Sequence, residues 1–306
     1  MTTYSIDEVE FSSSGELCRG WRLVSRNDRL LSSAGRPIVV MAHGIGGTID
    51  TGLQPFAEKF CATGADVLAV DYRGFGASSG APRQSVSMRR QVEDLHTAVE
   101  VARALPGVEP NRVVLWGISL GGGHAITVAA QRHDLAAVIA LTPLVDGWAA
   151  AALALRHCSA ASVARCAWAG MRGQLSTLRG GEPVTIPIVA PPGSDGAINL
   201  SGAFDRYTSL AGPTWCNRID AAIGFELLRY RPTRGARRVT CPTLVQIGDM
   251  DRSAPPGAAA VAAAKARASV WHYRGDHFDA WPGGSNFTEV AEQQCEFLAT
   301  LFARRR

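Results

Sequence analysis

Apolar positions along the chain fall into two kinds of run, and their alternation predicts the architecture. Short, mostly apolar runs have the length of strands buried on both faces: Ile38–Ala42, Val67–Val70, Val113–Trp116, Ala136–Leu141 and Pro242–Ile247. Between them lie segments with apolar residues at helical spacing. Thr51–Thr63 carries Leu53, Phe56, Ala57 and Phe60, and Ser85–Leu105 carries Val92, Leu95 and Val99 before Pro106-Gly107 stops it. Val9–Phe11 and Leu17–Leu23 instead alternate around Ser12–Gly15, which predicts a hairpin. Helices over Ser119–His133, Ala258–Ala268 and Asn286–Phe302, and a strand over Ser269–Tyr273, complete the series. Repeated strand and helix with apolar strands predicts an α/β fold, a mostly parallel sheet with helices on both faces.

The alternation lapses between Thr142 and Arg238. Asp146–His157 and Ala160–Met171 are alanine-rich and helical in pattern, Gly180–Ile198 is rich in Gly and Pro, and Cys216–Arg229 returns to a helical pattern. A crossover needs far less chain than this. Residues 143–238 therefore read as a cap or lid over a core made of 1–142 and 239–306. Its Trp148, Trp168, Phe204, Tyr207, Trp215 and Phe225 could supply an apolar or aromatic pocket, with Trp148, Phe204, Trp215 and, from the core, Phe278 as the foremost candidates. Asn217 and Arg218 read as residues that fix their helix to the core.

Charge and composition narrow the classes. The net charge of +4 is small and no basic run exceeds Arg304–Arg306, so nucleic acid is not an expected partner. Seven cysteines, an odd number without a CxxC pair, exclude a complete disulfide framework and argue against structural zinc. The N-terminus is polar and acidic, without a signal-peptide apolar region, and no apolar run is long enough to span a bilayer. The expectation is a cytoplasmic protein with reduced thiols. A homodimer is compatible with this composition, and nothing in it sets the oligomeric state.

The chemistry concentrates at strand ends. Val113–Trp116 runs into Gly117-Ile118-Ser119-Leu120-Gly121 and then a helix, the context in which a serine becomes a nucleophile. Gly117 and Gly121 carry no side chain to collide with the tight turn. After the strand Ile38–Ala42 comes His43-Gly44-Ile45-Gly46-Gly47, where the backbone N–H of Ile45 could join that of Leu120 as an oxyanion hole. His43 would orient this loop and not act as a base. In the loop from Asp71 to Gly80, Asp71 and Arg73 are expected to pair. Past Pro242–Ile247 stand two carboxylates, Asp249 and Asp251; Asp251 is preferred as the acid for its reach, with Asp249 the alternative. His277, in the loop before the last helix, is the expected base, whereas His124 and His272 read as packed or surface residues.

Serine, acid and histidine thus follow the chain order of sheet-based serine hydrolases. On His43-Gly44-Ile45, Asp71–Gly76, Gly117–Gly121, Gly248–Asp251 and Asp276-His277-Phe278, the sequence resembles the α/β-hydrolase superfamily. That resemblance implies an eight-stranded, mostly parallel sheet, a cap after the sixth strand and a Ser119–Asp251–His277 triad, and it favours Asp251 over Asp249. His43–Gly47, Trp215–Arg218 and Arg231-Pro232 further resemble bacterial carboxylesterases that cleave monoalkyl phthalates and related aryl esters. The implied function is a serine carboxylesterase acting on a small or medium ester without metal or organic cofactor. The alternatives are a thioesterase or acyltransferase for carrier- or CoA-bound acyl groups, and a catalytically silent ligand-binding protein of the same fold.

Overall fold

The computed structural model describes residues 3–303; the Arg304–Arg306 run, Met1 and Thr2 lie outside the described residues. Eight strands form one sheet: β1 (Tyr4–Ser13), β2 (Glu16–Ser25), β3 (Arg36–Ala42), β4 (Asp66–Val70), β5 (Val108–Ile118), β6 (Ala137–Leu141), β7 (Thr243–Gly248) and β8 (Ser269–Tyr273). Their spatial order is β1-β2-β4-β3-β5-β6-β7-β8. The hairpin partners β1 and β2 run antiparallel, as do β2 and β4, and every later pairing is parallel. Every residue of β4, β6 and β7 is buried, as their apolar runs require.

Among the described residues the α-helices are, in chain order, α1 (Gln54–Thr63), α2 (Met88–Ala104), α3 (Leu120–Ala129), α4 (Gly147–His157), α5 (Ala160–Leu178), α6 (Ala203–Leu210), α7 (Ile223–Arg229), α8 (Pro232–Gly235), α9 (Pro256–Ala266) and α10 (Phe287–Leu301). Helices α1 and α10 pack together on one face of the sheet, and α2, α3 and α9 cover the other. On the first face Trp116 of β5 meets Phe56 of α1 at 5.1 Å between ring centroids. Its indole N–H donates to Gln294 Oε1 of α10 at 2.9 Å, and Gln294 in turn donates to Gln246 of β7 at 2.6 Å. The buried amides are thereby satisfied, which an apolar interior demands.

The segment between β6 and β7 contains α4 to α8 and a two-residue pairing of Thr185–Ile186 with Ile219–Asp220. That pairing overrides the helical pattern expected over Cys216–Arg229: only Ile223–Arg229 is helical, begun after Asp220 Oδ1 accepts the N–H of Ala222. Helix α6 was not anticipated; Gly202 in a left-handed conformation starts it. Asn217 binds both the N–H and the carbonyl of Val189, so it ties two segments of this region together and does not anchor a helix.

A second correction concerns Asp71 and Arg73, which do not pair. The Arg73 guanidinium donates to Asp94 of α2 at 2.6 Å and to Ser13 at 3.0 Å, while Asp71 accepts the N–H groups of Ile49 and Ala77. Asp94 stands on the helix packed beside the strand end, a partner that neighbourhood in sequence does not reveal.

Candidate active site

Ser119 sits between β5 and α3 with φ 56° and ψ −121°, a conformation that costs an L-residue energy and persists only where its surroundings hold it. Its N–H donates to Leu141 of β6 at 2.9 Å, and its carbonyl accepts from Leu144 at 2.9 Å and Gly123 at 3.2 Å. The flanking glycines are dictated by space. A Cβ on Gly117 would stand 2.1 Å from the Gly121 carbonyl oxygen, and one on Gly121 would stand 2.4 Å from that of Ala42. Gly44 brings the next loop against the serine, since a Cβ there would lie 3.2 Å from Ser119 Cβ.

His277 opens a short 3-10 turn, His277–Ala280, past β8. Its Nδ1 lies 2.7 Å from Asp251 Oδ2, and both side chains are buried. The other oxygen of Asp251 accepts the N–H groups of Ser253 and Ala254, each at 2.7 Å, which fixes the carboxylate plane. Arg252 links the two loops: its N–H and Nε donate to Asp276, whose side chain also caps the turn at the N–H of His277. Burial alone would lower the His277 pKa, but the adjacent Asp251 carboxylate outweighs it, and the imidazole is raised above its ordinary value. The alternative acid, Asp249, is elsewhere. It holds the Nδ1 of His272 at 2.7 Å, with both side chains half exposed at the sheet edge.

His43 is fully enclosed and burial lowers its pKa to about 4, so at neutral pH it is an uncharged ring. Its Nδ1 donates to the Gly44 carbonyl at 3.1 Å, and its edge meets Tyr72. This geometry orients the loop. The Ile45 carbonyl accepts the Tyr207 hydroxyl of α6 at 2.7 Å. Tyr207, which the sequence suggested only as a pocket residue, holds this loop instead. Its only signal was its place in an aromatic-rich segment. His124 lies buried on α3, where Nε2 donates to Gln91 Oε1 at 3.0 Å and Nδ1 accepts from Tyr230 at 2.8 Å; burial lowers its pKa to about 3.

A cavity of about 310 Å³ opens onto Ser119 and Ile45. Its walls are mainly aliphatic: Ala150 and Ala154 of α4, Val163 of α5, and Leu227 and Leu228 of α7. Of the seven aromatic residues expected in this role only Phe225 lines it. Trp148 points to solvent at 59% exposure, and Trp168 is likewise exposed. Trp215 stacks on Tyr207, and Phe278 packs edge-on to both Tyr207 and His277. Phe204 is packed against the core without reaching the cavity. Tyr207, Trp215 and Phe278 thus pack among themselves outside the cavity lining, which is left mainly to small and aliphatic residues. Among the described residues no group of three or more His, Cys, Asp or Glu is arranged to hold a metal ion.

Comparison with known proteins agrees with this architecture. The chain matches the family described as serine aminopeptidase, S33, over residues 33–274. It is 34% identical over 297 residues, 96% of this chain and 94% of the relative, to the quorum-quenching protein AidA of Acinetobacter baumannii. It is 31% identical over 265 residues, 83% of each chain, to the polyketide transferase ATR5 of Stachybotrys chlorohalonatus. The crystal structure of the α/β hydrolase GrgF from Penicillium superposes with a TM-score of 0.79 at 25% identity, over 98% of this chain and 99% of that one. With the strand order, the serine turn and the family match in agreement, the chain belongs to the S33 serine aminopeptidase family of α/β hydrolases.

Proposed function

We propose that the protein is a serine hydrolase that cleaves a carboxylic ester of a small or medium, aliphatic acyl group through an acyl-enzyme. The observation that carries this reading is the aliphatic cavity opening onto Ser119 and the Ile45 loop, with His277 held by Asp251. Ser119 attacks the ester carbonyl while His277 Nε2 takes its proton, and Asp251 holds the Nδ1–H tautomer and offsets the charge of the imidazolium. The N–H groups of Ile45 and Leu120 receive the oxyanion of the tetrahedral intermediate. His277 then protonates the leaving alcohol and later activates water. Residues 143–238 act as the cap over a core of 1–142 and 239–306, and set which acyl group enters.

The cavity moves the substrate reading from aromatic toward aliphatic. At about 310 Å³ it sits at the lower end of small-molecule sites, roughly 300–1,000 Å³. A thioester donor with transfer to an acceptor other than water is the second reading. It is supported by the likeness to a relative named as a polyketide transferase. The seven unpaired thiols support a reducing compartment such as the cytoplasm. No helix among the described residues is long and apolar enough to cross a membrane.

Intact-mass measurement after a fluorophosphonate tests the nucleophile: one adduct is expected, absent in Ser119→Ala. That variant should lose at least about 10³-fold in kcat while keeping its fold. An adduct that survives Ser119→Ala, or retention of more than about a tenth of the rate, rejects the assignment. Nitrophenyl esters graded in chain length, set beside thioesters and aryl monoesters, separate the two substrate readings.

A further inference from the structure

We propose that the outer faces of α4 and α5 form a docking surface for an anionic lipid membrane. Trp168, Met171, Leu175 and Leu178 recur at helical spacing along α5, and Trp148 and Leu155 stand two turns apart on α4. All six are exposed, Trp168 at 60% and Leu178 at 83%. They make up six of the eleven large apolar side chains that are exposed among the described residues, so the exposure is concentrated and not scattered. The opposite side of α5 is already used: Val163 and Cys166 line the cavity, and Gly170 packs against Ala221 and Phe225. The helix thus has one apolar side turned to the protein and a second that the protein leaves uncovered.

Charge identifies what covers it. From Gly147 to Gly181 there is no Asp or Glu, and the formal charges are Arg156, Arg165, Arg172 and Arg179. On the α5 helix Arg165 and Arg172 fall beside the apolar stripe, with Arg179 just past its end. Only Arg165 is taken up by a carboxylate, Asp195 at 2.8 Å; Arg156, Arg172 and Arg179 have no ion-pair partner among the described residues. A second copy of the same face would bring like charges together. An acidic protein surface would answer the arginines but leave the tryptophans and leucines without an apolar layer. A bilayer rich in anionic phospholipid answers both, with tryptophan at the headgroup level and arginine on the phosphates. The inner walls of the same two helices line the cavity, so docking would put the acyl site next to the apolar phase from which its substrate comes. That last consequence rests on the acyl-site reading, whereas membrane binding itself does not.

Cosedimentation of the full chain with phosphatidylglycerol vesicles, against phosphatidylcholine vesicles, tests the surface. Binding to the anionic vesicles is expected, weakening as salt is raised. Trp168→Ser with Leu175→Ser should lower the partition coefficient at least about tenfold, and Arg172→Gln with Arg179→Gln should do the same. Val261→Ser with Val270→Ser, exposed apolar residues elsewhere, should leave binding unchanged. Ser119→Ala should bind as the unaltered protein does, which separates this surface from the catalytic reading. Turnover of a water-soluble short-chain ester should be unchanged in the Trp168/Leu175 variant. Three results overturn the proposal: no binding to phosphatidylglycerol, equal binding after the Trp168/Leu175 change, or a dimer in sedimentation velocity that this change converts to monomer while vesicle binding is absent.

Discussion

His277 and Asp251 face one another across 2.7 Å from loops that follow two adjacent parallel strands, β8 and β7, and the contact is closed to solvent. The pair is preassembled, because two backbone N–H groups hold Asp251 and the capped turn holds His277. Burial works to lower the imidazole pKa, and the carboxylate at Nδ1 more than compensates. A general base must be neutral to act, so activity should rise with pH through a His277 pKa above the ordinary value of about 6.5. Asp251→Asn should move that limb of the kcat/KM profile to lower pH and reduce kcat by about 10³-fold or more, and Asp249→Asn should leave both within about twofold. An equal loss from the two variants would remove Asp251 from its special role.

Tyr207 reaches from α6 to the Ile45 carbonyl and so restrains the residue whose N–H, in the preceding peptide unit, is the proposed oxyanion donor. Replacing it with Phe keeps the aromatic packing against Trp215 and deletes one hydrogen bond, a change of about 1 kcal/mol. Expected in steady-state kinetics is a fall in kcat of about five- to tenfold with KM nearly unchanged, because the donor is used mainly in the transition state. A change confined to KM would show that Tyr207 serves the pocket and not the loop.

The proposed acyl cavity has alanine where bulk would close it. Ala154→Trp should fill part of the space between α4 and α7 and lower kcat/KM for long-chain nitrophenyl esters by at least about tenfold, while acetate and butyrate esters react normally. Chain-length profiles of the two proteins that superpose would place the acyl group outside this cavity.

Two buried histidines make the fold sensitive to acid. His43 and His124 have pKa values lowered by burial to about 4 and about 3, so below about 6.5 the unfolded chain binds protons that the native state refuses. Each histidine lowers stability by about 1.4 kcal/mol per unit of falling pH in that window. Asp71 acts with the opposite sign. Burial raises it to about 6, and from there down to about pH 4 its native carboxyl keeps a proton that the unfolded chain releases. One histidine's worth of slope should remain between about pH 4 and 6. Urea titrations should show His124→Gln flattening that slope, whatever its effect on stability at pH 7; a slope as steep as before would refute the assignment.

Much of the site was legible because strand ends and glycine turns are local. The run into Gly117–Gly121, the loop after Ala42 and the loops that follow Gly248 and Tyr273 each announced a backbone event within a few residues. Parallel strands then carry those ends to one edge of the sheet, so the placement of Ser119, Asp251 and His277 follows from strand order. The region between β6 and β7 was far less legible. Its aromatic residues suggested a pocket, yet Trp215 stacks on Tyr207 outside the cavity lining while alanines face the cavity. Size and apolarity say that a side chain seeks burial, not which side of a wall it will occupy.

By itself the sequence determined the alternation of buried strands and helices, the tight turn at Ser119 and the chain order of the proposed nucleophile, acid and base. These depend on periodicity and on backbone conformations that few residues allow. Tertiary structure alone decided that Asp251 and not Asp249 meets His277, that Arg73 turns to Asp94, that Tyr207 holds the Ile45 loop, and that α5 leaves an apolar stripe uncovered. Each is a contact between segments distant in sequence, or the lack of one, and its partner is chosen by how whole elements pack rather than by the residues beside it.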